Sequence, residues 1–203
     1  MKTTALLKEE HEYIVRAMNV LENMAVRIVR GELADSNDRE SILSFLRSFL
    51  DDHHQTKEEF ILFPALLRAS HGDDHECLCK LIFEHNRERS LVEGIEEAMA
   101  TRKTEDFVYY AHRFVDIVRS HVADEEKNLF QHADALLSPE EDERMVREIG
   151  LFDTPAQRRT LIALLKGLAT LELKYLGASG ESKPRMPGSE VTKSIPAFRE
   201  RGV

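Results

Sequence analysis

The chain has 203 residues, 42% of them hydrophobic, with no Trp and a formal net charge of −9. Such a length supports one substantial core and an appendage, and the acidic balance excludes the basic footprint that nucleic-acid binding requires. No apolar run approaches the roughly eighteen residues of a membrane span. The start, Met1 to Ala5, leads straight into an amphipathic pattern, so the sequence reads as that of a cytoplasmic protein.

Apolar residues recur with a helical period almost throughout, and strand signals are nearly absent. The first helix is predicted from about Thr4 to Arg30, on a stripe of Leu7, Ile14, Met18, Leu21, Ala25 and Ile28, with Gly31 as its closing residue. The second starts after Asp35-Ser36 and reaches about Ala69; its inward set is read as Ile42, Phe45, Leu46, Phe49, His53, Lys57, Phe60 and Ile61. Pro64 falls inside this pattern and is expected to kink or loosen the last turns. After the turn at His71-Gly72, the third helix covers about Asp74 to Thr101, with Leu78, Leu81, Ile82, His85, Leu91, Val92 and Ile95 inward. The fourth covers about Thr104 to Leu137 through Phe107, Phe114, Val118 and His121.

Ser138-Pro139 and Thr154-Pro155 each read as a cap followed by a first-turn proline, and so open two further helices. The latter, over 154–176, carries a broad apolar face that must cover either the rest of the chain or a second copy as a homodimer. From 178 onward Gly, Ser, Pro and charges take over, which predicts a disordered tail. The fold expectation is all-α: an up-down-up-down antiparallel four-helix bundle over 1–150, an accessory C-terminal helix over 151–177, and the tail over 178–203.

The second and fourth helices contain a repeat. His54-Gln-Thr-Lys-Glu58-Glu59-Phe-Ile-Leu62-Phe63 matches His121-Val-Ala-Asp-Glu125-Glu126-Lys-Asn-Leu129-Phe130, both reading His-x-x-x-Glu-Glu-x-x-Leu-Phe. The first and third share Glu10-His11 and Glu84-His85. Residues four apart stand on one helix face, so each repeat presents an imidazole and a carboxylate to one volume, which His11 and His85 face from the other helices. Burying four imidazoles and two carboxylates together without a cation is costly. Glu58 and Glu125 are both able to bridge, which suits two metals. Imidazole and carboxylate without thiolate suits iron, with manganese or zinc as substitutes. His11, His54, Glu58, His85, His121 and Glu125 are therefore the expected metal ligands.

These motifs, in this order over about residues 3 to 135, resemble the hemerythrin-like proteins of the HHE cation-binding family. The resemblance implies an oxo- or hydroxo-bridged di-iron centre that meets a small diatomic ligand or peroxide, with no membrane or nucleic-acid partner. Oxygen-carrying hemerythrins place a second His one turn after the third-helix ligand, where this chain has Arg89. They also use His-x4-Asp where this chain has His121-x3-Glu125. These departures point away from oxygen storage and toward binding, sensing or reaction with oxygen, nitric oxide or peroxide. The alternatives are an enzyme of peroxide or nitric-oxide detoxification or iron–sulfur repair, and a metal-stabilised oligomerising bundle. The iron–sulfur repair proteins have the closer ligand pattern but carry a cysteine-bearing segment that this sequence lacks.

Other polar residues have simpler readings. His53 lacks a Glu four residues on and is expected as a neighbour of the site. His71, His75, His112 and His132 read as turn or surface residues. Glu59 and Glu126 face solvent or accept from ligand ring N–H groups. Tyr13, Tyr109 and Tyr110 pack at the core or rim, and Leu62-Phe63 and Leu129-Phe130 form an apolar floor under the metals. Cys77 and Cys79 are too close in sequence for an ordinary structural disulfide and too few for a zinc site. They read as reduced thiols.

Overall fold

The computed structural model describes residues 1–32 and 34–177; the tail expected from 178 onward lies outside them. Among the described residues every regular element is helical. Helix α1 is Lys2–Val29. Helix α2 runs unbroken over 36–69, passing through Ser36–Phe45, Leu46–Gln55, Glu58–Leu62 and Phe63–Ala69. Helix α3 is His75–Ala100, and α4 runs over 104–136 through Thr104–Asp124, Glu125–Leu129 and Phe130–Leu136. Helices α5, Pro139–Phe152, and α6, Pro155–Tyr175, complete the chain. No helix is long and apolar enough to cross a membrane among the described residues.

The boundaries follow local chemistry. Gly31 adopts φ +84° at the end of α1, a conformation that costs a residue with a Cβ. The Asp35 side chain accepts from the Asn37 N–H, and Ser138 accepts from the Glu141 N–H. Thr154 and Gln157 cap each other reciprocally, with Pro155 in the first turn.

Cross-helix contacts fix the direction of each pair. Glu10 meets His54 while Tyr13 meets Phe49; Arg47 meets Glu96 while Glu59 meets His85. Likewise His85 faces His121 while Gly94 lies against Tyr110, and Glu126 meets His11 while Arg119 meets Glu22. In every pair one residue number rises as the other falls, so neighbouring helices run antiparallel.

The interior is layered. One apolar cluster is built around Ile14, Met18, Phe45, Phe49, Val92, Phe114 and Val118. A second holds Leu7, Leu62, Phe63, Leu81, Leu129 and Phe130. On α1, α2 and α3 a buried histidine falls between the residues of one cluster and those of the other (His11, His54 and His85), and on α4 the buried His121 and Glu125 lie where the first cluster ends at Val122 and before the second begins at Leu129. The bundle thus encloses a polar layer between two apolar ones.

Two stretches of α2 and one of α4 are π-helical, and the stretches Glu58–Leu62 and Glu125–Leu129 occupy equivalent places in the repeat. Pro64 follows the first, but Phe130 and Gln131 follow the second. Proline is therefore not the common cause, and the wide turns belong to the His-x-x-x-Glu-Glu-x-x-Leu-Phe motif itself. Such turns are frequent at functional sites. They also correct the expected stripe: Phe60 is 68% exposed, because wide turns rotate the helix face away from a uniform 3.6-residue count. Ile82, also expected inward, is 38% exposed, and the buried stripe of α3 runs instead through Leu78, Leu81, His85, Glu88, Val92 and Ile95.

Helix α6 lays Leu161, Leu165, Leu168 and Leu171 into the larger cluster of its own chain. Arg16 donates twice to Glu172, at 2.7 and 2.6 Å, and the Tyr175 hydroxyl donates to Asp38 at 2.8 Å. The start of α1 is capped from α5: Asp142 accepts the N–H groups of Lys2 and Thr3 at 2.8 and 3.0 Å. Burial pushes the Asp142 carboxyl up, but those two N–H groups outweigh it and hold it below its usual range. Asp142→Ala is expected to cost about 1–2 kcal/mol in urea denaturation near neutral pH. Because the folded-state pKa is depressed, that contribution is present above the ordinary aspartate value of about 3.9 and fades as pH falls below it. The difference between wild type and variant is expected to narrow there.

Candidate metal centre

All six residues singled out by the repeat converge. His11, His54, Glu58 and Glu125 form one group whose ligand atoms lie within 4.8 Å of one another, and Glu58, His85, His121 and Glu125 form a second. All six side chains are buried. The two groups share Glu58 and Glu125, so the cluster consists of two halves joined by two carboxylates.

Each ring is oriented by an outer glutamate. His11 Nδ1 lies 3.0 Å from Glu126 Oε1, and His54 Nδ1 lies 3.0 Å from Glu10 Oε2. His85 Nδ1 lies 2.7 Å from Glu59 Oε1, and His121 Nδ1 lies 2.9 Å from Glu84 Oε2. The pattern is crosswise and two-fold. The Glu preceding His11 holds His54, and the Glu preceding His85 holds His121. The Glu following Glu58 holds His85, and the Glu following Glu125 holds His11. A carboxylate at Nδ1 assigns the donated proton to that nitrogen and turns the Nε2 lone pair inward. Phe130 stacks on His11 with ring centroids 5.3 Å apart, and Phe63 stacks on His85 at 5.9 Å. These two phenylalanines are the apolar floor expected from the sequence.

The inward atoms are the test of what the cluster fits. His11 Nε2 lies 3.1 Å from His54 Nε2, and His85 Nε2 lies 3.0 Å from His121 Nε2. In rings that carry a single proton on Nδ1, these are lone pairs facing each other. The four oxygens of Glu58 and Glu125 are buried without a hydrogen-bond partner. Three of them lie 3.2–3.6 Å from imidazole Nε2 atoms: Glu125 Oε1 from His121, Glu125 Oε2 from His11, and Glu58 Oε2 from both His54 and His85. Orphaned buried carboxylate oxygens are severely unfavourable unless a cation supplies the missing partner. Two donors about 2.1 Å from one ion at right angles stand about 3.0 Å apart, which matches both nitrogen pairs. The donor set fits a cation in each half.

Without a cation the cluster balances its charge with protons. Burial and the neighbouring Glu125 carboxylate hold Glu58 well above the carboxylate range. Burial also pushes Glu125 up, but His121 and His11 outweigh it and hold Glu125 well below that range. Burial lowers His121, yet Glu125, Glu88 and Glu58 around it win and push it up to about 11. His54 goes the other way, down to about 4, because burial dominates. Metal uptake must displace such protons, so affinity rises with pH.

The halves differ in their surroundings. Glu10 is buried with Lys57, whose ammonium donates to Glu10 Oε1, and His53 Nε2 lies 3.1 Å from the same oxygen. His53 is therefore a neighbour of the site, as expected, and it braces the carboxylate that holds His54. The repeat carries Asp124 where α2 has Lys57, and it is exposed; Glu84 is 23% exposed. The outer roles of Glu10 and Glu84 are not assigned by the sequence motifs, although the repeated Glu-His pair contains both residues. Lys57 falls on the predicted inward stripe of α2, where the sequence marks no ionic partner for it. Farther away, His132 pairs with Asp74 at 3.0 Å. Cys77 and Cys79 are exposed free thiols, with Cys79 Sγ 3.8 Å from His75.

Fold and cluster together define a helical metal-binding protein. The family model described as hemerythrin HHE cation-binding domain matches residues 2–133, and the chain belongs to that family. No curated protein and no solved structure matched the chain in the comparisons.

The outer carboxylates separate affinity from stability. Glu84→Gln is expected to weaken metal binding by roughly 10–100-fold with little change in the metal-free fold. Glu10→Gln leaves Lys57 buried without its counter-ion and is expected to destabilise the metal-free protein by about 3–5 kcal/mol as well. Metal titration and chemical denaturation of both variants check this contrast.

Proposed function

We propose that residues 1–136 form an up-down-up-down four-helix bundle that holds two iron ions. The ligands are His11, His54, Glu58, His85, His121 and Glu125, and the centre binds or reacts with dioxygen, nitric oxide or peroxide. The observation that carries this reading is the set of inward atoms: four imidazole nitrogens and four carboxylate oxygens face one another in a buried layer, and the carboxylate oxygens have no hydrogen-bond partner. The antiparallel residue pairings support the topology. Imidazole and carboxylate donors without a thiolate favour iron over softer-ligand chemistry.

Bound iron supplies electrons and an open coordination position to a small ligand. The chain's own residues do the rest. Glu58 and Glu125 join the halves. Glu10, Glu59, Glu84 and Glu126 hold each imidazole in one tautomer and orientation. Phe63, Phe130 and the leucines around them keep bulk water from the layer. Arg89 stands where oxygen carriers have a histidine; it bonds Asp51 and Glu59 instead, so the His85 half gains no third histidine and keeps the same two histidines and two glutamates as the other half. That favours reaction with a small ligand over storage of it.

Metal analysis and optical spectroscopy test the proposal. Iron loading is expected to give two ions per chain, and His54→Ala or Glu125→Ala should reduce this to one or none. Anaerobic reduction followed by oxygen should produce a charge-transfer band that returns over repeated cycles. Two ions retained in either variant, or no optical response in a fully loaded sample, would overturn the reading.

A further inference from the structure

Glu88 lies three residues beyond His85 on the buried stripe of α3, and it is 2% exposed. Gln55 follows His54 and is 1% exposed. The two side chains meet: Gln55 Nε2 donates to Glu88 Oε2 at 2.6 Å. Their other oxygens, Gln55 Oε1 and Glu88 Oε1, are buried and have no hydrogen-bond partner. Neither residue is among the groups able to hold a metal, so the centre as described does not explain why they are there.

Both line a cavity of about 10 Å³ between α2 and α3, with Asp51, Arg89, Val92 and Phe114 also on its walls. That volume is about one water molecule, and orphaned polar atoms are what such a molecule bonds. At the outer end Arg89 and Asp51 are each 26% exposed and paired at 2.7 Å. Arg89 also holds Glu59, the carboxylate on His85 Nδ1. The wall therefore runs from a charged surface pair to a buried polar pair.

We propose that this cleft is the polar access route to the metal centre, admitting water, protons and small proton-carrying ligands to the His85–His121 half. Gln55 and Glu88 form its inner station, and the Arg89–Asp51 pair is its outer closure. The proposal rests on the two-metal reading above and assigns its open side. The charged groups that act on Glu88 are His121 and Glu125 from α4, Glu58 from α2 and Glu84 from its own helix; Asp51 and Arg89 share the cavity wall with it. Burial is the main influence and raises the Glu88 carboxyl to about 7, which suits a group that holds and releases a proton near neutral pH. On the opposite half the corresponding outer carboxylate, Glu10, is instead bonded by Lys57 and His53.

Stopped-flow association of azide with iron-loaded protein tests the route, with iron counted in every sample. Val92→Phe plugs the cleft without touching a polar group and is expected to slow association at least roughly tenfold. Arg89→Ala removes the outer closure and should accelerate it severalfold. Glu88→Gln keeps the shape but removes the acid, and should flatten the pH dependence of the rate between about pH 6 and 8. Association rates unchanged in both Val92→Phe and Arg89→Ala, at two irons per chain, would overturn the route. Should Val92→Phe fail to fold, Asp51→Ala, which opens the same outer end while leaving Arg89 on Glu59, decides together with Arg89→Ala: unchanged rates in both overturn the route. Wild-type protein that holds fewer than two ions would instead overturn the two-metal reading.

Discussion

Two glutamates with no solvent exposure and no hydrogen-bond partner, Glu58 and Glu125, stand at the centre of this molecule. Removing carboxylates from water without replacing their partners is among the least favourable acts in folding. Four imidazoles turned toward them, all with Nδ1 engaged elsewhere, do not replace those partners. A cation does. The layer between the two apolar clusters is therefore organised for metal. Metal binding free energy and folding free energy are expected to be linked, because the unfolded chain cannot assemble this donor set.

Around that layer the duplication works at two levels. The inner histidines and glutamates repeat between α2 and α4, and the inner histidines between α1 and α3. The outer glutamates repeat too, but they cross between helices, so each ring is steered by a residue adjacent in sequence to a different ligand. The π-helical turns beginning at Glu58 and Glu125 belong to the same repeat and distinguish these segments from the ordinary α-helix around them. What breaks the symmetry lies at the variable positions of the repeat and beyond it: Lys57 and His53 bond Glu10, whereas Arg89, Asp51, Gln55 and Glu88 make a polar seam beside His85. Two halves with the same donor residues thus have unlike surroundings.

Much of this was legible in the sequence because its signals are periodic. The helices, their caps at Asp35, Ser138 and Thr154, and the convergence of the six residues all follow from spacing and residue type. Other features depend on geometry that spacing does not encode. Phe60 was assigned to the core by a 3.6-residue count that π-helical turns invalidate. Glu10 and Glu84 carry no mark that separates a ring-steering carboxylate from a solvated one until the helices are set side by side. Gln55 and Glu88 lie 33 residues apart, and neither belongs to a motif. The destination of the apolar face of α6 was open between the chain itself and a second copy; in the structure α1 and α2 receive it.

The most direct measurement of the central claim is anomalous X-ray diffraction from crystals of the iron-loaded protein, recorded at the iron edge. The account predicts two anomalous peaks within the buried layer, one beside His11 and His54 and one beside His85 and His121, with Glu58 and Glu125 between them. A single peak, or peaks away from these six residues, would contradict it.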